Sequence, residues 1–393
     1  TGIVHLVDKQ YAFTDDDPYW FLVMEYVHGK RLGASKYRID LELEEEQAIR
    51  LIFQLCSVIY SIHQRGKYHQ DIFPDNIKIQ GEDVILLDLG GMREAERRSG
   101  TIIFGGEMYS PPEVSPTRLR MKRFRALRKQ KMGSFESADI FSIGAICYEL
   151  VMGESFFENI EQSNQLKEYI YDYYTDPDTL KRMKKEYQDA LNVAQRRIQR
   201  FSQALERLEI LPDLRDALTR TLAVHPQKRP NIEELLNAFF PCMLQRAKAA
   251  HERGNWAQTL LWVRHVEQHF DEIRIERASQ DADFAQKMQQ HLLIHAPMYV
   301  ETCLIRGIAQ FYQELFEAAQ RNFLKTHEIL ELYQDGYSAA QRNSYLLKIA
   351  NNIAACLYKR QQPAEALHLL KSLSTAQGKV GQIIHQNVQV CSA

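Results

Sequence analysis

The stretch Tyr68-His-Gln-Asp-Ile-Phe-Pro-Asp-Asn-Ile-Lys-Ile79, with its companion Val84-Ile-Leu-Leu-Asp-Leu-Gly90, decides the fold of this chain. Asp71 and Asn76 stand five residues apart in the first stretch. Pro74 lies between them and has a fixed φ, so this part of the chain is predicted to be a loop rather than a helix. One loop therefore presents two oxygen-bearing side chains.

A short hairpin is predicted to follow this loop. Ile77 and Ile79 alternate with polar neighbours, which is the pattern of a strand with one buried face. After a turn at 81–83, an apolar run ends abruptly at Asp88, so the hairpin would deliver this acid beside the loop. Carboxylate and amide oxygens suit a hard cation such as Mg²⁺, and a further carboxylate can accept a hydroxyl proton.

Five motifs resemble those of protein kinases, and they occur in the order of that family. The catalytic loop H-R-D-x-x-x-x-N and the D-F-G motif are matched by His69-Gln-Asp71 to Asn76 and by Asp88-Leu-Gly90. The A-P-E segment, the D-x-W-S-x-G helix and the closing arginine motif are matched by Met108–Glu113, Ser137–Gly144 and His225–Pro230. The spelling Ser-Pro-Pro-Glu is most similar to bacterial members of the Ser/Thr kinase family.

The resemblance implies a role for each residue of the loop and hairpin. Asp71 would orient the substrate hydroxyl and accept its proton, and Asn76 and Asp88 would hold Mg²⁺ on the phosphates of ATP. His69 would pack beneath Asp88 as a structural element. The expected activity is transfer of the ATP γ-phosphoryl group to a serine or threonine of a protein substrate.

The N-terminal residues are expected to form the adenine side of the site. Two strand-like runs, Gly2–Asp8 and Trp20–Val27, flank a polar turn. From the residues alone, this is equally a buried hairpin without a ligand. In the resemblance, Met24 is the gatekeeper, and the backbone from Glu25 to Val27 forms the hinge that pairs with the adenine edge.

The sequence as given lacks the other parts of a kinase small lobe. No glycine-rich phosphate loop, ion-pairing lysine strand or glutamate-bearing helix precedes the first strand. Either the sequence is truncated or the small lobe lies upstream, and we expect the isolated chain to be nearly inactive. Past the hinge, Gly29 should let the chain turn toward a core helix over Leu43–His63, in which His63 is expected to be structural.

Three departures from the family pattern keep an alternative open. Gln70 replaces the arginine beside Asp71, so no cation stands there for an activation-loop phosphate. Phe73 occupies the usual position of a lysine that contacts the transferring phosphate, and Gly106 that of the threonine that contacts this lysine. Loss of the positive charge costs rate. The alternative is a pseudokinase scaffold that binds partners without efficient phosphoryl transfer.

Several other residues of the first domain have structural roles in the resemblance. Glu113 and Arg229 should form a buried pair, and Asp139 should hold the backbone of the catalytic loop. A basic insertion, Arg118–Lys131, is either a solvated segment or a surface that steers an acidic partner or a membrane. An apolar stripe close to a heptad repeat runs from Leu180 to Leu208 through Leu191 and Ile198. It predicts a long helix that either packs on the large lobe or forms a dimer seam.

The region after residue 242 is predicted to be entirely helical. Three segments share a pattern of helix, turn and helix with small residues, around the turns that start at Gly254, Gln313 and Gln361. Small residues at Ala318 and Ala366 would let paired helices approach. The pattern resembles degenerate tetratricopeptide units, although an unrelated helical bundle remains open. Either form would bind a protein partner or pack on the kinase domain.

Composition sets limits on the rest. The net charge of −2 gives no general preference for nucleic acid, and no apolar run approaches the ~18 residues of a membrane span. The six scattered cysteines include no C-x-x-C pair, which favours buried free thiols in a reducing compartment, and so a cytoplasmic protein.

The resulting prediction is a two-domain protein with an α+β kinase-like fold and an all-α repeat domain. Residues 1–242 would form the kinase domain, in which 1–28 are the remainder of the small lobe with the hinge and 29–242 are the large lobe. Residues 243–393 would form the helical domain. The predicted function is that of a protein Ser/Thr kinase that uses ATP and Mg²⁺.

Overall fold

A computed structural model describes residues 2–3, 6–13, 18–33, 39, 41, 43–89, 92–94, 108–113, 135–175, 185–276, 281–372 and 378–392. The chain divides into two compact units, Thr1–Phe239 and Phe240–Ala393. The division lies within one helix, Ile232–Glu252.

The strands of the first unit are short and pair antiparallel. They are β1 Leu6–Phe13, β2 Pro18–Met24, β3 Lys30–Arg31, β4 Lys67–Tyr68, β5 Ile77–Gln80, β6 Asp83–Leu86 and β7 Arg93–Glu94. β1 pairs with β2, β4 pairs with β7, and β5 lies between β3 and β6.

The predicted N-terminal hairpin is present, but its bounds differ from the prediction. β1 begins at Leu6 rather than Gly2 and continues to Phe13. β2 ends at Met24 rather than Val27, so the predicted hinge residues that follow have no regular secondary structure. The predicted hairpin at 77–87 is also present, because β5 and β6 pair around a turn at Gly81.

Helices form most of the first unit. They are α1 Glu45–Gln64, α2 Phe135–Met152, α3 Ile160–Thr175, α4 Lys185–Arg207, α5 Pro212–Thr221 and α6 Ile232–Glu252, which continues into the second unit. α1 begins two residues after the predicted start at Leu43, and the Gln47 side chain accepts a hydrogen bond from the Glu44 backbone N–H. α2 is buried along most of its length and packs against α1 and α5. Its Gly144 is required because a Cβ there would lie 2.1 Å from the Thr221 hydroxyl.

The long inserted helix packs on its own lobe. α4 contacts α2, α3 and α5, which confirms packing within the chain rather than only along a dimer seam. Its buried residues are Tyr187, Ala190, Ala194, Arg197, Phe201 and Leu205. The stripe therefore runs through Ala190 and Arg197 and not, as predicted, through Leu191 and Ile198, which are only partly buried. Leu180 and Met183 of the predicted stripe lie outside the described residues.

The second unit is helical throughout its described part. After the end of α6 it contains α7 Trp256–Glu276, α8 Ala282–Tyr312, α9 Phe316–Leu332, α10 Ala339–Lys359, α11 Pro363–Ser372 and α12 Gly378–Ser392. Each helix packs against the next one along the chain. This sequential packing is the arrangement expected of stacked helical hairpins.

The same turn geometry recurs at three helix ends of this unit. In each turn one residue is left-handed, and the N–H of the next residue donates to the carbonyl five positions earlier, as in a Schellman motif. The left-handed residues are Gly254, Glu314 and Gln361, with φ of 70°, 62° and 63°. The bonds, all 2.9 Å, join Asn255 to Ala250, Leu315 to Gln310 and Gln362 to Leu357. The three predicted turns therefore share one backbone structure.

A small residue is buried soon after each of these turns. Thr259, Ala319 and Ala366 occupy equivalent positions, and each is fully buried. In the second turn the sequence suggested Ala318, which is wrong by one position because the left-handed residue is Glu314 rather than Gln313. Small side chains at these positions let adjacent helices approach closely.

Among the described helices, one is long enough and apolar enough to cross a membrane, judged by length and composition alone. It is α8, whose most apolar window has a mean hydropathy of 1.2. Within the protein, 56% of that window is buried, and α8 packs between α7 and α9. It is therefore packed as a core helix of the second unit.

Three histidines meet in the core of this unit. His269 of α7 lies with its ring centroid 5.6 Å from that of His291, and His291 lies 4.5 Å from His295, both on α8. Phe240 and Phe270 pack against His269, each at 5.4 Å between ring centroids. Burial lowers the pKa of His269 well below its ordinary value of 6.5, and the two neighbouring histidines lower it further. His269 is therefore neutral at pH 7.

We expect the second unit to lose stability in mild acid. The unfolded chain protonates His269 near pH 6.5 but the folded chain does not, so stability is complete above that pH and falls toward the lowered pKa. The slope contributed by one histidine is about 1.4 kcal/mol per pH unit. Denaturant unfolding of the full chain at several pH values measures it. His269→Phe keeps an aromatic ring and should flatten the slope, and equal slopes in the two proteins would contradict the prediction.

Candidate active site

A buried aspartate positions the predicted catalytic loop. Asp139 of α2 is fully buried, and its two carboxylate oxygens accept the backbone N–H groups of His69 and Gln70, each at 2.8 Å. His63 Nε2 lies 2.8 Å from the same carboxylate. The predicted role of Asp139 as an anchor of the loop backbone is confirmed, and so is the structural role of His63.

Gln70 is held in a strained conformation. Its φ is 64°, in the left-handed region that residues with a Cβ seldom adopt. The backbone bond to Asp139 and a side-chain bond from Nε2 to the Phe135 carbonyl, 2.8 Å long, fix it there. Strain of this kind persists only where surrounding bonds determine the conformation, and it is frequent at functional sites. The Gln70 amide is thus engaged with α2.

The two oxygen-bearing residues of the loop contact each other. Asp71 and Asn76 are both buried, and Asn76 Nδ2 donates to the Asp71 carbonyl at 3.0 Å and to Asp71 Oδ2 at 3.1 Å. The loop between them ends in one 3₁₀ turn, Pro74–Asn76, which the prediction of a plain loop did not include. Because the Asn76 amino group binds Asp71, its carbonyl oxygen points away from that carboxylate.

Asp88 is brought to the same place by the hairpin. The Leu87 N–H donates to the Asn76 carbonyl at 2.7 Å, so Asp88 directly follows a residue bonded to Asn76. Asp88 has a φ of 55°, the second left-handed non-glycine residue of the site, and its side chain is exposed. The structure therefore gathers Asp71, Asn76 and Asp88 on two adjoining segments. Gly90 and Gly91, which follow them, lie outside the described residues.

His69 lies among the acids of the site. Its ring is fully buried, and its Nδ1 accepts the Asp71 N–H at 3.3 Å. Burial lowers the pKa of His69, although the carboxylates of Asp139, Asp71 and Asp88 act in the opposite direction. His69 is neutral at pH 7 and supports the loop from beneath.

The donor set fits a hard cation shared with a nucleotide. The Asp88 carboxylate and the Asn76 amide carbonyl are the oxygen ligands that Mg²⁺ prefers. Among the described residues, no group of three or more His, Cys, Asp or Glu side chains could hold a metal by itself. With Mg²⁺ in nucleotide sites, phosphate oxygens and water supply the remaining ligands.

The site has no lysine two residues after Asp71. Phe73 occupies that position, and its side chain is buried. Gly106, where the accompanying threonine was expected, lies outside the described residues, as do Ser99, Thr101 and the basic insertion Arg118–Lys131.

The predicted hinge lies beside strand β5. Val27 is buried, and Glu25 and Tyr26 are exposed. Met24, the predicted gatekeeper, is the last residue of β2. Gly29 is left-handed with a φ of 114°, and a Cβ there would lie 2.2 Å from the Ile79 carbonyl oxygen. The predicted need for glycine at this turn is confirmed.

One residue that contacts the hinge, Lys78, was not predicted from the sequence. Lys78 of β5 donates from Nζ to the Val27 carbonyl at 2.6 Å. The available signal was the alternation of side chains along the strand. Lys78 stands between Ile77 and Ile79, so its side chain must lie on the opposite face of the strand from theirs.

A buried ion pair ties the segment at 108–113 to the late part of the unit. Arg229 binds Glu113 through two bonds of 2.5 and 2.8 Å, and the side chains are 0% and 8% exposed. Arg229 also donates to the Ser137 carbonyl at 2.9 Å, which links the pair to α2. The Tyr109 hydroxyl donates to Glu149 of the same helix at 2.5 Å. The predicted Glu113–Arg229 pair is confirmed.

Comparison with known proteins assigns the first unit to a family. A family model described as the protein kinase domain matches residues 3–240. Aurora/IPL1-related protein kinase 2 of Caenorhabditis elegans is 22% identical over 250 residues, which cover 62% of this chain and 66% of that protein. Serine/threonine-protein kinase PknB of Mycobacterium leprae is 30% identical over 163 residues, 40% of this chain and 24% of the relative.

Other relatives are much longer proteins. Serine/threonine-protein kinase MRCK gamma of Mus musculus is 31% identical over 147 residues, 37% of this chain but only 9% of the relative. The chain thus spans less than a tenth of the length of such relatives.

Proposed function

The chain belongs to the protein kinase family, and on this basis we propose that it transfers the γ-phosphoryl group of ATP to serine or threonine hydroxyls of a protein substrate. The observation that supports this most directly is the Asp71–Asn76–Asp88 arrangement. Asn76 binds Asp71 through two hydrogen bonds, and the residue before Asp88 is bonded to Asn76. Asp71, bonded to the Asn76 amide, would accept the substrate proton, and the exposed Asp88 would bind Mg²⁺. These are the two roles that acidic residues have in phosphoryl transfer.

In the proposed mechanism each of the three residues has its own task. Asp71, held by the Asn76 amide, orients the substrate hydroxyl and accepts its proton. The carbonyl oxygen of Asn76 and the carboxylate of Asp88 would hold Mg²⁺ against the nucleotide phosphates. When bound, Mg²⁺ supplies positive charge that offsets the charge of the transferring group. The backbone from Glu25 to Val27, after Met24, would receive the adenine edge.

The test is phosphoryl transfer by the full-length protein. It should be incubated with Mg²⁺, ATP and a general protein substrate, and phosphoserine and phosphothreonine should be measured. Products above the level of an Asp71→Asn sample support the proposal. Absence of transfer at high enzyme concentration, with nucleotide bound, would support the second candidate.

That second candidate is a pseudokinase scaffold, and two observations favour it. Phe73 is buried where a phosphate-contacting lysine was expected, and the Gln70 amide is bonded to the Phe135 carbonyl. The catalytic loop of 69–76 therefore contributes no cation near Asp71. Loss of such a charge lowers the stabilisation of the transition state, so a slow kinase and a scaffold differ in rate rather than in architecture.

Activity should not depend on phosphorylation of Ser99 or Thr101. A phosphate on the segment needs a cation to bind, and Gln70 in place of arginine offers a neutral amide that already bonds to α2. Phosphatase-treated protein and the Ser99→Ala and Thr101→Ala variants should retain the untreated rate within about twofold, well below the effect of a lost charge-assisted bond. A loss of activity on phosphatase treatment, traced to either residue, would contradict this.

For the remaining parts of the chain, we propose a kinase domain at 1–242 and a tetratricopeptide-like domain at 243–393 that binds a protein partner. The recurrent turns at Gly254, Glu314 and Gln361, each followed by a buried small residue, support the repeat character.

We also propose that the protein is a bacterial-type kinase of the cytoplasm. Six free cysteines, five of them buried, are compatible with a reducing compartment.

A further inference from the structure

A lysine ammonium occupies the hinge where the nucleotide base is proposed to bind. Lys78 Nζ lies 2.6 Å from the Val27 carbonyl oxygen, a short charge-assisted hydrogen bond. The same ammonium lies 5.1 Å from the centroid of the Tyr26 ring, within the range of a cation–π contact. The Lys78 ammonium therefore contacts two neighbouring hinge residues, Tyr26 and Val27.

The strand fixes this lysine between the hinge and the phosphate end of the site. Lys78 follows Asn76 by two residues, which is about 7 Å along an extended chain. Ile77 is fully buried, so the next residue points to the opposite face of β5. The Lys78 side chain therefore links the hinge to the strand that directly follows Asn76.

We propose that Lys78 lowers the affinity of the nucleotide site for ATP by capping the hinge acceptor at Val27. The inference rests on the proposed function, because it takes the hinge to be the base site. Lysine has three donors and no acceptor. The amino group of adenine is likewise a donor, so it competes with the ammonium for the Val27 carbonyl. An adenine whose amino group bonds to the Val27 carbonyl must displace the ammonium from it.

This competition predicts that removal of the Lys78 ammonium raises the affinity for Mg²⁺-ATP. Lys78→Met keeps a stem of similar length and removes the charge and all three donors. A tenfold change in affinity corresponds to about 1.4 kcal/mol, which is the scale of one hydrogen bond to a charged group. We expect Lys78→Met to bind Mg²⁺-ATP about tenfold more tightly than the wild type.

The experiment is equilibrium binding of a fluorescent ATP analogue with Mg²⁺ to the full-length protein. Lys78→Arg retains a cationic donor and should stay near wild-type affinity. Lys30→Met is the matched control, because Lys30 is an exposed lysine of the neighbouring strand in the same sheet and its replacement removes the same charge. Lys78→Gln provides a second neutral variant, and it should also bind more tightly.

The outcomes separate this inference from the proposed function. Tighter binding by both neutral variants at Lys78, with Lys78→Arg and Lys30→Met unchanged, supports the inference. Unchanged or weaker binding by the neutral variants overturns it, and phosphoryl transfer by the wild type would still stand. An equal gain in nucleotide affinity in Lys30→Met overturns it as well. The cause would then be the loss of one positive charge rather than the loss of the bond to Val27. If none of the proteins binds nucleotide, both proposals fail.

Discussion

Asp71→Asn should reduce the rate of phosphoryl transfer by the full-length protein by about 10²-fold or more, the scale of a lost general base. The substitution is nearly isosteric and leaves the backbone carbonyl of residue 71 free to keep its 3.0 Å bond with Asn76. It removes the carboxylate that accepts the substrate proton. The loop should therefore keep its shape, and the loss should fall on the rate rather than on nucleotide affinity.

The matched control for this prediction is Asp75→Asn. Asp75 belongs to the same loop and is only partly buried, but it is not part of the Asp71–Asn76 contact. Rates should be measured with saturating Mg²⁺-ATP, and the control should stay within a few-fold of the wild type. If Asp71→Asn and Asp75→Asn have equal rates, Asp71 is not the base.

The second large effect concerns stability. Glu113→Gln should lower the free energy of unfolding of the first unit by about 3–5 kcal/mol, the cost of leaving one member of a buried ion pair without its partner. Arg229 would remain fully buried, and the neutral amide cannot match the two bonds of 2.5 and 2.8 Å that the carboxylate accepts. Denaturant unfolding of wild type and variant measures the difference.

A more exposed ion pair of the same unit serves as the control. Arg220 contacts Asp216 at 2.7 Å and also Glu234, but its side chain is 36% exposed. Exposed pairs contribute about 0–1 kcal/mol, so Arg220→Met should change stability little. A Glu113→Gln variant as stable as Arg220→Met would show that the buried pair has no net stabilising role. Replacement of both Glu113 and Arg229 by apolar residues should recover part of the loss.

The parts of the site that the sequence predicted are those set by local spacing. These signals are the spacing of Asp71 and Asn76, the proline between them and the alternation of apolar and polar residues from Ile77. All of them lie within a dozen residues of one another. A loop, a hairpin and an acid at its end follow from such signals. The anchoring by Asp139 and the Glu113–Arg229 pair join residues far apart in sequence, and they were predicted only through the resemblance to kinases.

What the sequence did not predict depends on contacts between distant elements. Lys78 meets Val27 across 51 residues, and nothing in the local pattern specifies what a lysine on the polar face of a strand will contact. In α4, burial of Ala190 and Arg197 follows from three neighbouring helices, which shift the stripe from its heptad positions. The His269 cluster likewise forms from two helices, and in the sequence its members look like polar surface residues.

The most direct test of the central claim is phosphoamino-acid analysis after incubation of the full-length protein with Mg²⁺ and ATP labelled at the γ-phosphate. The proposed kinase function predicts label on serine or threonine, and Asp71→Asn should abolish nearly all of it. No label in the wild type, under conditions where binding of Mg²⁺-ATP is demonstrated, would contradict the claim. The same result would assign the chain to the nucleotide-binding scaffolds of the family.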